Sequence, residues 1–280
     1  MSNFMLSAFA DEYSALFEEQ LRALSEFGIE NIELRHLNEK NISVLSIDEV
    51  KDAKKMLDDF GIGVSAIGSP IGKIKLDGDM DAHFKMAKAI FEYANILQTK
   101  YIRIFSFYAP EGKNITEMKS EVFAWLEKLV VLAKEHGVTL CHENEANIYG
   151  DIPSRCREIL DCFDGEMKCV FDMGNFVLEG VEPYPDAYEL LKNDIAYFHI
   201  KDALREGAIV PPGKGEGRIK EILLAHREYS KNDFFVSLEP HLQTFSGLNA
   251  LVGRHFENPY RYSDEKSAFA DAVTKFMELI

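Results

Sequence analysis

The amino-acid sequence predicts an α/β protein, a single-domain (β/α)8 TIM barrel that spans residues 1–280. Three observations support this fold class. Strand-like and helix-like segments alternate eight times, in units of roughly the 30 residues that a βα repeat needs. The 280 residues suit one barrel of ordinary length. No shift in composition marks a second domain. A doubly wound open sheet is the structural alternative, but no strand is followed by a G-x-G-x-x-G sequence.

Each strand is predicted from a short apolar run between turn residues, and each helix from apolar residues three and four positions apart. In chain order, the predicted strands cover residues 4–9, 29–35, 62–67, 101–105, 138–143, 168–172, 195–200 and 234–239. The helix boundaries carry their own signals: Ser46 suits a helix start, and Gly28, Gly61 and Gly137 suit helix ends. The predicted helices cover residues 13–27, 46–60, 81–97, 116–136, 152–163, 184–192, 218–226 and 263–280.

Composition and charge exclude several classes of function. The chain has 31 Lys and Arg against 47 Asp and Glu, a net charge of −16, so a nucleic-acid backbone would be repelled. No apolar run approaches the roughly 18 residues of a membrane span, and no signal peptide is recognisable. The four cysteines show no C-x-x-C spacing. We therefore expect a cytoplasmic protein with reduced thiols and a small-molecule partner, without nucleic acid or membrane.

Four of the predicted strands each end in a side chain that can bind a metal. Glu143 ends the fifth strand, Asp172 the sixth, His199 the seventh and Glu239 the eighth. Alternate residues of a strand face the same side, and each of the four falls at the last inward-facing position. Active sites of (β/α)8 barrels lie at the C-terminal ends of the strands. The four side chains are therefore predicted to meet there.

Three carboxylates and one imidazole form a hard, oxygen-rich ligand set. Such a set favours Mn²⁺, Mg²⁺ or Co²⁺, allows Zn²⁺ and disfavours copper. We expect one divalent metal, with Mn²⁺ preferred. Each side chain alone has a plainer explanation, because a carboxylate at a strand end is commonly a helix N-cap or an ion-pair partner. Four of them at equivalent positions of successive strands favour the metal site.

The runs that carry these residues resemble those of a known group of enzymes. They are similar to the sugar phosphate isomerase/epimerase family of the xylose isomerase-like TIM barrel superfamily. The resemblance spans essentially the whole chain and is most specific in four runs: His142-Glu-Asn-Glu, Phe171-Asp-Met-Gly-Asn, Phe198-His-Ile-Lys-Asp and Ser237-Leu-Glu-Pro-His. It implies that Glu143, Asp172, His199 and Glu239 bind one divalent metal. It also implies that Glu143 and Glu239 are the catalytic acid/base pair of an isomerase or epimerase.

The chemistry expected of such a site is proton transfer beside a carbonyl group. A metal chelated by the carbonyl and the adjacent hydroxyl of a sugar, or of a related polyol-ketone, acidifies the C–H between them and stabilises the enediolate. Glu143 and Glu239, on opposite sides of the substrate, can then remove and return the proton.

Five further residues are predicted to contact the substrate. Asn175 stands where related epimerases often have a histidine, so the substrate can differ from theirs. Arg205 matches a family arginine that binds a substrate oxygen, with an exposed loop arginine as the alternative. Lys201 and His241 each follow a metal ligand on the same strand face. Glu33 ends the second strand and can close the site from the other side, or form an ion pair at the barrel rim.

Two other functions stay open, and a third is disfavoured. A lyase of the inosose dehydratase type would use the same metal and the same enolate chemistry. A non-catalytic metal- or sugar-binding barrel is the second alternative. The endonuclease IV branch of the superfamily uses three metals and additional histidines, which the ends of the third and fourth strands lack. Tyr149 replaces a glutamate of the family epimerases, which weakens an assignment to 3-epimerisation of free ketohexoses.

Two long segments are predicted to cover the site or to mediate assembly. Ala203–Gly217 contains four glycines and two prolines. Leu242–Tyr262 is rich in aromatic residues for a solvated loop. Members of the family that the chain resembles often form dimers or tetramers, so the resemblance implies a homo-oligomer as one possibility, and the sequence leaves the oligomeric state open. No glycine loop with a basic cluster marks a phosphate cradle, so the substrate need not be phosphorylated.

Overall fold

A computed structural model of the protein describes residues 3–242 and 260–280. Eight parallel strands form a closed barrel in the order β1-β8-β7-β6-β5-β4-β3-β2, so that neighbours in sequence are neighbours in the sheet. The strands are β1 Phe4–Ala8, β2 Asn31–Leu34, β3 Gly63–Gly68, β4 Tyr101–Ile104, β5 Thr139–Glu143, β6 Met167–Asp172, β7 Ile195–Ile200 and β8 Phe234–Leu238. The fold class predicted from the sequence is confirmed.

Helices connect the strands and cover the outside of the barrel. They are α1 Phe17–Glu26, α2 Ile47–Phe60, α3 Met80–Leu97, α4 Lys119–His136, α5 Pro153–Cys162, α6 Met173–Leu178, α7 Tyr188–Leu191, α8 Ile219–Tyr229 and α9 Glu265–Leu279. Short 3-10 turns lie at Ala10–Glu12, Ile42–Val44 and Ile115–Met118. None of the helices in the described part of the chain is both long enough and apolar enough to span a bilayer.

The predicted helix boundaries follow their capping residues where such residues exist. Ser46 accepts a hydrogen bond from the backbone of Glu49, whose side chain bonds back to Ser46, which forms a capping box at the start of α2. Gly61 and Gly137 end α2 and α4 in the left-handed conformation. Helix α1 begins at Phe17, four residues later than predicted, because its N-cap makes no side-chain hydrogen bond that the sequence could have shown.

Two regions between β6 and β7 differ from the sequence prediction. The short helix α6 was not predicted; it begins immediately after β6, and the side chain of Asp172 caps it by accepting from the backbone N–H of Asn175. The helix predicted at 184–192 is divided into a π-helical turn at Pro183–Ala187 and α7. Tyr184 has φ −139° and ψ 135°, which interrupts the helical backbone there.

The barrel interior is divided into an apolar lower layer and a charged upper layer. The lower layer contains Ala66, Cys141, Val170 and Tyr197, all fully buried. Large aliphatic and aromatic residues fill the space between the strands and the helices instead. Because both faces of a parallel barrel strand are buried, a charged side chain on the inner face has no solvent and must find partners within the upper layer.

The glycine-rich segment after β7 is organised by one carboxylate. Asp202 and Ala203 pair antiparallel with Ile209–Val210. The Asp202 carboxylate accepts backbone hydrogen bonds at 2.8–2.9 Å from three glycines of the segment: Gly213, Gly215 and Gly217. Of the other segment predicted to cover the site, residues 243–259 lie outside the described residues.

Candidate active site

The C-terminal ends of β5 to β8 bring four ligand-type side chains together. Asp172 and His199 are register partners in adjacent strands, and His199 pairs in turn with Ser237 on β8. Glu239 follows β8 by one residue, and Glu143 ends β5. Each of the four ligand-type residues offers one atom within 4.8 Å of those of the others, and all are buried. The sequence-predicted quartet therefore forms one compact group.

His199 lies at the centre of this group. Its Nδ1 atom is 2.9 Å from Glu143 Oε1 and 3.2 Å from Glu239 Oε2, and its Nε2 atom is 3.0 Å from Glu33 Oε2. Burial opposes a charged imidazole, but the three carboxylates raise the pKa of His199 well above its ordinary value. The space between Glu143 and Glu239 thus favours a positive charge.

The donor set fits a divalent cation. Glu239 Oε2 is buried and accepts no hydrogen bond of good geometry from the described residues, and such an atom is costly to bury unless a further group binds it. Burial raises the pKa of Glu143, but His199 and Arg103 outweigh it and hold the pKa well below its usual range. Glu239 Oε2 has His199 Nδ1 at 3.2 Å and Lys201 Nζ at 3.3 Å but no well-aligned donor. Together with the ionised Glu143 carboxylate and the imidazole nitrogen that faces them, this oxygen suits the first coordination shell of a cation.

Lys201 and Asn175 join the group beside Asp172. Lys201 Nζ donates to Asp172 Oδ2 at 3.0 Å and to Asn175 Oδ1 at 3.2 Å, and lies 3.3 Å from Glu239 Oε2. Burial raises the pKa of Asp172 to about 7, although Lys201 favours its charged form. Asn175 also donates to the backbone of Asn144 at 2.9 Å. Asp172 is therefore the N-cap of α6 and also lies within the candidate metal group; its role as a metal ligand stays a prediction.

A second buried group adjoins the first and shares Glu239 with it. Glu12, Glu239 and His241 also place one ligand-type atom each within 4.8 Å of one another. Arg35 already contacts both carboxylates, with Nη1 2.9 Å from Glu239 Oε1 and Nη2 3.3 Å from Glu12 Oε1. Its guanidinium also binds Asp11 through Nε at 2.8 Å. A permanent positive charge is therefore present in this second group.

Arg103 is a member of the site that the sequence analysis missed. It lies on β4, is 3% exposed, and donates from Nη1 to Glu143 Oε2 at 2.8 Å. Its guanidinium carbon lies 4.6 Å from the centre of the Phe105 ring. A charged residue on the inward-facing positions of an apolar strand was the available signal. Asp11 and Glu12, in the 3-10 turn that follows β1, were missed as well, and an acidic pair shortly after a strand was their signal.

The five predicted substrate-contacting residues are not all placed alike. Lys201 and Asn175 contact Asp172, and His241 lies beside Glu239. Glu33 is fully buried below His199 instead of at the rim. Arg205 does not reach the group: its side chain is 46% exposed and forms ion pairs with two glutamates of the surrounding loops, Glu182 and Glu216.

Solved structures share this architecture at low sequence identity. The probable 3-DHS dehydratase AsbF of Bacillus anthracis is 18% identical, with 98% of each chain covered and a TM-score of 0.73. The D-psicose 3-epimerase of Clostridium cellulolyticum H10, solved with D-tagatose, is 15% identical over 99% of this chain and 98% of that one, with a TM-score of 0.73. A xylose isomerase-like TIM barrel protein of Mycobacterium smegmatis, in complex with magnesium, is 13% identical over 100% and 96%, with a TM-score of 0.70. These likenesses establish the fold.

The structural likenesses show the fold, whereas a comparison of the sequence with protein-family models identifies the family. A search of curated protein sequences finds no match. The family model described as xylose isomerase-like TIM barrel matches residues 21–242, which include β2 to β8 and all four members of the metal-type group. The chain belongs to the xylose isomerase-like TIM barrel family.

Proposed function

We propose that the protein is a divalent-metal-dependent isomerase or epimerase of a sugar or a related polyol-ketone, with Glu143 and Glu239 as its acid/base pair. One observation carries this proposal. The two glutamates come from strands β5 and β8, and both contact the same atom, His199 Nδ1, at 2.9 and 3.2 Å. The two carboxylates therefore converge on one position from different strands, as a pair of proton-transfer groups acting on one carbon must.

Each part of the site has a task in this reaction. A divalent cation held by Glu143, Asp172, His199 and Glu239 would polarise a substrate carbonyl and its neighbouring hydroxyl, and so acidify the C–H between them. One glutamate takes this proton from carbon as the C–H bond breaks. The other glutamate returns a proton to the opposite face of the same carbon, or the first returns it to the adjacent carbon. Epimerisation and isomerisation differ in this last step, and isomerisation also moves the proton of the hydroxyl group to the former carbonyl oxygen.

The permanent cations keep the two glutamates ionised and in place. Arg103 binds Glu143 at 2.8 Å, and Arg35 binds Glu239 at 2.9 Å. Charge-assisted bonds of this kind restrict a carboxylate to one orientation. Burial disfavours the charged form of Lys201, but the nearby carboxylates raise its pKa and keep it protonated. Lys201 is the group best placed to bind a substrate oxygen. Asn175 and His241 are the neutral groups that we assign to substrate hydroxyls.

The ligand set supports a hard metal. Three carboxylates and one imidazole suit Mn²⁺ first, with Mg²⁺, Co²⁺ and Zn²⁺ as alternatives. The position of Arg35 supports a single ion, because its guanidinium contacts the two carboxylates that a second ion would need. This argues against a phosphodiesterase built on three metals, and the net charge of −16 also disfavours a DNA substrate.

A lyase is the second candidate. The chain matches the dehydratase and the D-psicose 3-epimerase at the same TM-score of 0.73, so the fold does not separate them. Both reactions begin with removal of a proton beside a carbonyl. They differ in whether the neighbouring hydroxyl then leaves as water or the proton is returned.

Hydrogen exchange with solvent tests the shared first step. The Mn²⁺-loaded protein is incubated in D2O with ketoses, inososes and hydroxy-keto acids, and deuterium uptake is followed by NMR. We expect deuterium at a carbon next to a carbonyl, and none with Glu143→Gln. Analysis of the products then separates isomerase, epimerase and dehydratase. If bound Mn²⁺ is demonstrated but no compound in the panel takes up deuterium, the enolising activity is rejected for these substrates and a binding function is favoured.

A further inference from the structure

The carboxylate of Glu33 lies entirely inside the barrel, 0% exposed. Its Oε2 is 3.0 Å from His199 Nε2, and its Oε1 accepts a hydrogen bond from the Tyr197 hydroxyl at 2.9 Å. It therefore lies between the apolar lower layer and the charged upper layer. A buried carboxylate at this depth needs a specific partner, and both of its oxygens have one.

An irregularity in β2 accompanies this placement. The pairing of β2 with β3 shifts register between Ile32 and Glu33, as in a β-bulge. Glu33 therefore pairs with Ala66 of the apolar lower layer. Bulges bend a strand and re-aim a side chain. The strand thereby directs the Glu33 side chain inward, just below His199.

The contact determines which nitrogen of His199 is available. A carboxylate accepts hydrogen bonds and does not donate them, so Nε2 carries a hydrogen in the contact with Glu33. The other nitrogen, Nδ1, faces Glu143 and Glu239, and there a bound divalent cation would take the place of its proton. The Phe9 ring packs edge-on against the imidazole with a centroid distance of 5.1 Å, which restricts rotation of the imidazole ring.

We propose that Glu33 is a positioning residue, which holds His199 by Nε2 so that the lone pair of Nδ1 points at the cation held by Glu143, Asp172 and Glu239. Metal-binding histidines commonly donate their second N–H to such a carboxylate, and loss of the carboxylate weakens metal affinity. The inference rests on the proposed function, because it requires a metal at the four-residue group. It assigns to Glu33 a role in metal affinity and none in contact with the substrate.

Three variants and one binding measurement test the inference. Mn²⁺ is titrated into metal-free protein by calorimetry, and folding is checked by thermal denaturation. We expect Glu33→Leu, which cannot accept from Nε2, to weaken Mn²⁺ binding by about 10- to 100-fold. Glu33→Gln keeps an acceptor oxygen but loses the charge, so we expect a smaller loss of at most about tenfold. In Glu33→Leu, a high Mn²⁺ concentration is expected to restore turnover.

The matched control is Ser7→Ala on the neighbouring strand β1. It removes another buried hydrogen bond of the interior, the 2.7 Å contact between Ser7 and Ser65, and leaves the bond from Ser65 to the Ile32 carbonyl beside Glu33 in place. We expect Ser7→Ala to bind Mn²⁺ like the wild type. The inference is overturned if Glu33→Leu and Glu33→Gln bind Mn²⁺ like the wild type, or if Ser7→Ala loses as much affinity as they do. If Glu33→Leu does not fold, the affinity of Glu33→Gln decides alone. A wild type that binds no Mn²⁺ rejects the proposed metal centre itself.

Discussion

Arg35 Nη1 lies 2.9 Å from Glu239 Oε1, although the two residues are 204 positions apart in the chain. The arginine follows β2, the glutamate follows β8, and both side chains are nearly inaccessible to solvent, at 1% and 3%. The same guanidinium binds Asp11 and Glu12. One buried cation thus binds three acidic groups from two separate parts of the barrel mouth, the turn after β1 and the end of β8.

Removal of this cation is expected to destabilise the fold. Arg35→Met leaves buried carboxylates without their permanent counter-charge, which costs about 3–5 kcal/mol when a partner of a buried pair is removed. The measurement is the free energy of unfolding in urea. Arg205→Met is the matched control, because Arg205 also binds two glutamates but is exposed; a change within about 1 kcal/mol is expected there. Equal losses in both variants would contradict the assignment.

Substitution of either proposed acid/base residue is expected to abolish turnover. Glu143→Gln and Glu239→Gln keep the side-chain shape but cannot accept a proton from carbon, and deuterium uptake should fall to background while the circular dichroism spectrum is retained. Glu166→Gln is the control, because Glu166 forms a surface ion pair with Lys134. Full activity in either active-site variant rules out the acid/base assignment.

Metal removal is expected to lower stability by mass action. A ligand at 100 times its dissociation constant stabilises the folded state by about 2.7 kcal/mol, so Mn²⁺ should raise the melting temperature of protein pretreated with EDTA. His199→Ala lacks the central ligand and should gain little at the same Mn²⁺ concentration. A melting temperature of the wild type that does not respond to any of the four candidate metals argues against the centre.

The stability of the protein is expected to fall in mild acid partly through His83. Its Nε2 accepts the backbone N–H of Gly72 at 2.9 Å, and burial lowers its pKa to about 4. Between about pH 6.5, the pKa of an unperturbed histidine, and pH 4, His83 is protonated in the unfolded chain and neutral in the folded chain. The free energy of unfolding therefore falls as the pH falls. Unfolding in urea at pH 7 and pH 5 measures the loss. His83→Gln, which has no titrating group, should lose less over this interval, and an identical loss would exclude His83 as a contributor.

The order of the glycine-rich segment is expected to depend on Asp202. Asp202 Oδ2 accepts from Gly213 and Gly215, whereas Oδ1 accepts from Gly217 and Ala203. Asp202→Ala should therefore speed amide hydrogen exchange throughout 213–217. Asp202→Asn keeps one acceptor oxygen. It should therefore preserve protection at only one pair of amides, either Gly213 and Gly215 or Gly217 and Ala203. Unchanged exchange in both variants would show that other contacts order the segment.

Much of the fold and part of the site followed from local patterns. The alternation of apolar runs and amphipathic segments predicted the barrel, because each βα unit must bury its apolar face against the next unit. Glu143, Asp172, His199 and Glu239 could be selected because parallel strands present their C-terminal ends on one side of the barrel. The boundaries of α2 and α4 were visible through Ser46, Gly61 and Gly137, whereas α1, without a side-chain cap, was predicted too long.

The sequence by itself determined the fold class and a candidate ligand set, since both depend on periodicity and strand ends. Only the tertiary structure decided the partners of those ligands. Glu33 meets His199 across 166 residues, and Arg103 meets Glu143 across 40. Barrel closure brings first, second and eighth strands together, so the charges at their ends must neutralise one another in a space without water. Sequence spacing carries no measure of such contacts, and the partners of Glu33, Arg35 and Arg103 became visible only in three dimensions.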